Sequence, residues 1–168
     1  MKSYVVIGLG RFGSEAARQL CALGCEVLAM DIRSELVQQV AADVTHAAVA
    51  DARDKEVLKA LGAKDFDCAI VAIGGSLADS VLATMNVKEL GIPKVVCKAH
   101  DETHRQVLQK LGADQVVIPE KENAARLAKN LKLLDAATTR LIPRDLISSY
   151  TPDICSWSVS RLKPQAVP

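Results

Sequence analysis

A glycine pattern set directly behind a β-branched run restricts this chain more than any other feature. Tyr4-Val5-Val6-Ile7 leads at once into Gly8-Leu9-Gly10-Arg11-Phe12-Gly13. The stretch from Arg11 to Leu23 then carries Phe12, Ala16, Leu20 and Leu23 at helical spacing. A short apolar run bounded by glycine suits a buried parallel strand, so the three glycines occupy a strand-to-helix turn. A GxGxxG pattern by itself arises by chance, but between a strand and a helix each glycine has a mechanical role. Gly8 permits the tight turn, Gly10 lets a pyrophosphate approach the backbone, and Gly13 lets the helix pack against the strand. The helix N-terminus offers unpaired N–H groups and a positive dipole end to phosphate.

The alternation continues down the chain. Candidate strands follow at Glu26–Met30, His46–Val49, Asp67–Ile73, Lys94–Lys98 and Gln115–Ile118. Helical patterns lie between and after them at Ser34–Ala42, Asp54–Leu61, Ser76–Leu90, Asp101–Leu111 and Lys121–Leu134. Leu23-Gly24, Leu61-Gly62, Leu90-Gly91 and Leu111-Gly112 each precede an apolar residue, the pattern of a glycine-closed helix end. Strands alternating with helices require a parallel sheet with right-handed crossovers. The expected fold is therefore α/β: a doubly wound, six-stranded Rossmann sheet in the order 3-2-1-4-5-6. It occupies residues 1–134. Residues 135–168, with Thr138-Thr139, Pro143, Thr151-Pro152 and Pro164, are expected to form an irregular linker or tail.

Composition removes several function classes. A formal charge of +1 gives no general attraction to nucleic acid or anionic lipid, and 3% aromatics leave little for stacking bases. No apolar run approaches the ~18–20 residues of a membrane span, so direct membrane insertion is not expected. Met1-Lys2-Ser3 enters a strand directly, without a signal-peptide pattern. Cys21, Cys25, Cys68, Cys97 and Cys155 form no CxxC pair and read as reduced thiols of a cytosolic protein.

Candidate ligand residues cluster at the strand ends. Asp31 ends the second strand eighteen residues beyond Gly13, where a carboxylate can accept both ribose hydroxyls of an adenosine. It would also repel a 2′-phosphate, which favours NAD or adenine nucleotides over NADP, and nearby Arg33 weakens that exclusion only slightly. The alternative is an N-cap for the following helix, a role Ser34 can also fill. Asp51-Ala52 ends the third strand beside the expected adenine edge, or else serves as a cap with Asp54. Ile73-Gly74-Gly75-Ser76 ends the fourth, with Asp79 three residues past Ser76 as in a capping box. Arg11 is unusual for such a loop: a cation at the positive end of a helix dipole is unfavourable unless an anion joins it.

Together with Val27-Leu28-Ala29-Met30-Asp31, Ile70-Val71-Ala72-Ile73-Gly74, Leu111-Gly112-Ala113-Asp114 and Pro119-Glu120-Lys121, the loop resembles the KTN/RCK (TrkA-N) family over roughly residues 3–131. These are regulatory domains of bacterial potassium transport. The resemblance implies an octameric ring of dimers binding ATP, ADP or NAD(H), and a membrane potassium channel or transporter subunit as partner on the cytoplasmic face. It implies phosphate contacts from Arg11, ribose contact from Asp31 and adenine-side contacts from Asp51 and Ala52. Lys98 is expected near the phosphates of an adjacent subunit, and Glu120 near the terminal phosphate, where it helps bind a cation. Gly8, Gly10, Phe12, Gly13, Ile32, Ile73 and Gly74 complete the expected nucleotide site. Family members continue into a small αβ domain, whose pattern Thr138–Pro168 does not carry.

Two other functions compete. A NAD-dependent oxidoreductase needs acid–base residues at the nicotinamide. The βα units leave only residues 135–168 for them, and neither Tyr4 nor Tyr150 has a lysine four residues on. A regulator rather than an enzyme is expected. His100-Asp101-Glu102-Thr103-His104 places two histidines at i and i+4. His100 is expected to precede the helix, so the rings are not expected to face each other, and both read as surface histidines rather than metal ligands. The helix Ser76–Leu90 carries Leu77, Ala78, Val81, Leu82, Met85 and Leu90, a wide apolar face for the sheet or for a neighbouring subunit.

Overall fold

The computed structural model describes residues 2–141, with side chains through residue 133. Its elements are β1 (Ser3–Ile7), α1 (Arg11–Ala22), β2 (Glu26–Asp31), α2 (Ser34–Val40), β3 (His46–Val49) and α3 (Lys55–Ala60). After a 3-10 turn at Ala63–Asp65 come β4 (Cys68–Val71), α4 (Leu77–Glu89), β5 (Lys94–Lys98), α5 (Glu102–Lys110), β6 (Gln115–Val117) and α6 (Pro119–Leu141). The six strands form one sheet in the order β3-β2-β1-β4-β5-β6, and each neighbouring pair is parallel. This is the doubly wound fold expected.

Strand alternation builds two cores. Val5 and Ile7 join Leu28, Met30, Ala69, Val71, Val95 and Cys97 on one face, beneath Leu58 of α3, Ala83 and Val87 of α4 and Leu108 of α5. Val6 points the other way, with Val27 and Ala29, against Ala17 of α1 and Val37 and Val40 of α2. Because β1 is buried on both faces, its residues read as a continuous apolar run rather than as an alternation.

The Leu-Gly endings act as their spacing suggests. At Gly24 (φ +80°) the Gly24 N–H reaches the Cys21 carbonyl at 2.9 Å, and the Cys25 N–H reaches Leu20 at 3.1 Å. Gly112 (φ +89°) repeats the pattern with Gln109 and Leu108. Such paired bonds satisfy the last carbonyls of a helix. At the other ends, Asp54, Ser76 and Asp101 cap α3, α4 and α5. The N-cap of α2 is Arg33, without a side-chain cap bond, so neither Asp31 nor Ser34 fills that role.

One sequence expectation is narrowed, since the apolar face of α4 does not serve the sheet, and another, the surface placement of His104, is overturned. The residues of α4 buried toward the sheet are Ser80, Ala83, Thr84 and Val87, whereas Leu77, Leu82 and Met85 are exposed. Small side chains let the helix lie close to the strands, and the Thr84 hydroxyl donates to the Ser80 carbonyl at 2.7 Å instead of seeking water. His104 is likewise not a surface residue: it is 1% exposed. Its Nδ1 lies 2.8 Å from His100 Nδ1 and its Nε2 lies 3.1 Å from Ser80 Oγ. The rings do meet, with centroids 4.8 Å apart and planes tilted by 54°, although Asp101 caps α5 and His100 precedes the helix.

Burial, and then His100, hold the His104 imidazole below its ordinary pKa. The unfolded chain takes up a proton that folded His104 resists. Its contribution to stability is thus complete above about pH 6.5 and falls as the pH drops through that value toward the folded pKa. The melting temperature should fall between about pH 7.5 and about pH 5.5, and the fall should flatten in His104→Gln. Asp101 and Asp114, whose carboxyls are held low by backbone N–H groups, lose their contributions only in more acidic solution. An equal slope in wild type and variant would remove His104 as the cause.

Cys68 and Cys97 are buried, Cys21 and Cys25 half-buried, and all four are free thiols; Cys155 lies outside the described residues. Burial pushes the Cys97 thiol up to about 11, which keeps it protonated. The chain divides into one compact unit ending at Asn123 and a second beginning at Ala124. In the second unit α6 continues to Leu141, past the expected end at Leu134, so Thr138 and Thr139 are helical. The remainder of the expected tail, from residue 142, lies outside the described residues. Among the described residues no helix is long and apolar enough to cross a membrane.

Candidate nucleotide-binding site

A cavity of about 690 Å³ opens at the C-terminal ends of the strands. Its floor is the glycine loop. Gly8 adopts φ +93° and its N–H donates to the Met30 carbonyl at 2.8 Å, tying the turn to β2. A Cβ on Gly13 would stand 1.9 Å from the Gly8 carbonyl oxygen, so α1 packs against the loop backbone with no room for a side chain. Gly10 is the opposite case: a Cβ there meets nothing within 4 Å. The loop is thus closed toward the protein and open toward the cavity, a cradle suited to a phosphate. The first turn of α1 holds no acidic residue, and Gly10 provides no side-chain cap. The positive end of the helix is left for an anion.

Asp31 does more than end β2. Its Oδ2 accepts the Leu9 N–H at 2.7 Å, while Oδ1 accepts the Arg33 N–H at 2.9 Å and Arg33 Nε at 3.3 Å. The carboxylate, 8% exposed by residue, is a strut between the glycine loop and the turn into α2. Ile32 beside it is exposed and lines the cavity.

The end of β3 repeats the arrangement. Asp51 Oδ1 accepts the Arg53 N–H at 2.9 Å, and the guanidinium pairs with the carboxylate through Nε at 2.9 Å and Nη2 at 2.7 Å. Arg53 Nη1 continues to Asp79 Oδ1 at 3.1 Å. The paired Arg53 holds the Asp51 carboxyl below the usual range. Asp51 lines the cavity where the adenine edge is expected, but its carboxylate is already engaged, and Asp54 alone caps α3. Ala52 is buried, and its carbonyl accepts from Asn86. Sequence reading passed over Arg53 as a site residue, although Asp31-Ile32-Arg33 and Asp51-Ala52-Arg53 spell the same Asp-x-Arg turn at two successive strand ends.

On the other side Ile73 and Gly74 line the cavity. The Ser76 hydroxyl accepts the Asp79 N–H at 3.2 Å, but the Asp79 side chain turns to Arg53, so the capping box is only half formed. A Cβ at Gly74 would lie 3.8 Å from Lys98 Nζ. Lys98 pairs with Glu120 of the same chain at 2.9 Å and stands 5.9 Å from the centre of the Phe12 ring, within cation–π range. Lys98 holds the Glu120 carboxyl below the usual range. Among the described residues no three His, Cys, Asp or Glu side chains gather to hold a metal ion. Three cavity cations have carboxylate partners: Arg33, Arg53 and Lys98. Arg11, also on the cavity wall, forms no salt bridge among the described residues.

A parallel 3-2-1-4-5-6 sheet, with a glycine cradle behind β1 and a carboxylate at the end of β2, defines a Rossmann-type domain. Residues 4–119 match the model of the TrkA-N domain, and the chain belongs to that family. It is 45% identical over 130 residues to the Ktr system potassium uptake protein C of Bacillus subtilis, covering 77% of this chain and 59% of that protein. It is 43% identical to the Ktr system potassium uptake protein A of the same organism, with the same coverage. The chain thus spans less than two thirds of the length of these relatives. Among solved structures, the Kef C-terminal domain of Shewanella denitrificans in its AMP-bound form superposes with a TM-score of 0.67 at 25% identity, over 88% of this chain and 91% of that one.

Proposed function

We propose that this chain is a nucleotide-sensing regulatory subunit of a potassium transporter, with residues 1–134 as its nucleotide-binding domain and residues 135–168 as a separate segment. The observation that carries the reading is the loop that is packed at Gly13 and open at Gly10, with Arg11 beside it. The likeness to two Ktr potassium uptake proteins supports the transport role.

The ligand class is an adenine nucleotide, ATP or ADP, with NAD(H) as a further candidate. The backbone N–H groups behind Gly10 and the guanidinium of Arg11 hold phosphate. Asp31 takes ribose, and Asp51, Ala52 and Ile32 border the base. Lys98 and Glu120 stand at the phosphate side, and Glu120, once released from Lys98, supplies a carboxylate for a cation. A regulator needs no acid–base pair. It needs two subunit arrangements of different nucleotide affinity, whose populations change with the nucleotide pool. We place the chain on the cytoplasmic face of the membrane, in an octameric ring of dimers against the transporter's membrane subunit.

Calorimetric titration with ATP, ADP and NADH tests the site. Arg11→Ala should weaken phosphate-bearing ligands by roughly 10-fold to 100-fold, the worth of a charge-assisted contact of about 1.5–3 kcal/mol. Unchanged affinity would remove Arg11 from the site. Turnover of a nicotinamide substrate would replace the regulatory reading with an oxidoreductase. Light scattering with and without nucleotide tests the ring, which a monomer under both conditions would exclude.

A further inference from the structure

We infer that the ribose end of the cavity accepts an adenosine carrying a 2′-phosphate, as in NADP(H), and that Arg33 is the residue that permits it. The inference rests on the nucleotide reading above. A carboxylate at the end of β2 ordinarily excludes such a ligand, because it receives the ribose hydroxyls and repels a phosphate. Asp31 is not placed to act that way alone.

A carboxylate offers about four acceptor positions. Three hydrogen bonds from within the chain already reach Asp31: the Leu9 N–H on Oδ2, and the Arg33 N–H and Nε on Oδ1. Room for one ribose hydroxyl remains. The neighbouring hydroxyl meets the Arg33 guanidinium, which has donors only. A hydroxyl satisfies one such donor, whereas a phosphate ester at the same place accepts two in parallel.

The fork is available. Only Nε of the Arg33 side chain is engaged among the described contacts, the side chain is 60% exposed, and it lines the cavity. Arg53 makes the contrast, since in the matching turn its Nη1 is taken by Asp79 and its Nη2 by Asp51. The charge of Arg33 also offsets that of Asp31, so the ribose end presents an ion pair to an incoming phosphate rather than a bare anion.

Titration of the full chain with NADH and NADPH, and with AMP and adenosine 2′,5′-bisphosphate, isolates the single added phosphate. The wild type should bind NADPH within about tenfold of NADH. Arg33→Ala should raise the NADPH Kd about tenfold or more while moving the NADH Kd less than about threefold, with Arg33→Lys between the two. The nucleotide pair should follow the same order. A wild type that binds NADH but not NADPH overturns the inference and leaves the nucleotide site standing. Equal losses for both ligands in Arg33→Ala also overturn it, because the arginine then serves the base or braces Asp31. Binding of none of the four ligands overturns the inference together with the nucleotide reading.

Discussion

Gly13→Ala should unfold this domain far below the temperature at which the wild type melts, while Gly10→Ala should fold normally and lose its ligand. The two glycines stand three residues apart in one loop, and their neighbours differ completely. At Gly13 the added methyl meets the Gly8 carbonyl oxygen at 1.9 Å and the Ala72 Cβ at 3.0 Å, and the closer of these is backbone. Relief requires α1 to leave β1, opening the core around Ala17 and Val6. The cost should exceed about 3 kcal/mol, above the usual range for overpacking, or roughly 10 °C in melting temperature for a domain of this size. At Gly10 the backbone angles (φ −68°, ψ −176°) suit any residue and the methyl meets no protein atom within 4 Å. Stability should stay within about 1 kcal/mol of wild type. That methyl projects into the cradle, so nucleotide affinity should fall about tenfold or more, the effect of losing close backbone approach. Urea denaturation and calorimetry read the two effects separately. A Gly13→Ala protein as stable as wild type would refute the packing argument, and a Gly10→Ala protein that binds normally would move the phosphate elsewhere.

Asp31→Ala should cost both stability and binding. The substitution leaves the Leu9 N–H buried without its 2.7 Å acceptor and frees the Arg33 backbone at the start of α2. A buried donor without a partner costs about 1–3 kcal/mol, and loss of the ribose acceptor should weaken nucleotides tenfold or more. Asp31→Asn separates the two. Its carbonyl oxygen can still serve Leu9, but its amide then opposes the Arg33 donors, so it should recover part of the stability and none of the affinity. Asp31→Ala with wild-type stability would show that the carboxylate serves the ligand alone.

The alternation of strands and helices, the glycine turn behind β1 and the strand order were legible because each is written locally. A β-branched run between glycines, an apolar helical stripe and a Leu-Gly ending each span a handful of residues. Right-handed crossovers then convert their succession into one topology. Helix limits also fell within a residue or two wherever a cap was visible, as at Ser76 and Asp101. The helix α4 was legible only in part. Its bulky residues offered a face to the sheet or to a neighbouring subunit, and packing against the sheet at close range selected Ser80, Ala83 and Thr84 instead.

The candidate site was legible as a set of positions and not as a set of bonds. Asp31, Asp51, Lys98 and Glu120 were named from strand ends and from resemblance as ligand groups, with a helix cap as the alternative for Asp31 and Asp51. The structure engages every one of them: Asp31 with Leu9 and Arg33, Asp51 with Arg53, and Lys98 with Glu120. Arg53 with Asp79 and His104 with Ser80 join different βα units. By itself, then, the sequence determined which residues stand at the open ends of the strands. Only the tertiary structure decided which of them neutralise one another and which, like Arg11, form no salt bridge among the described residues. Periodicity and turn chemistry report neighbours along the chain, whereas an ion pair between strand ends exists only after the crossovers have brought them together.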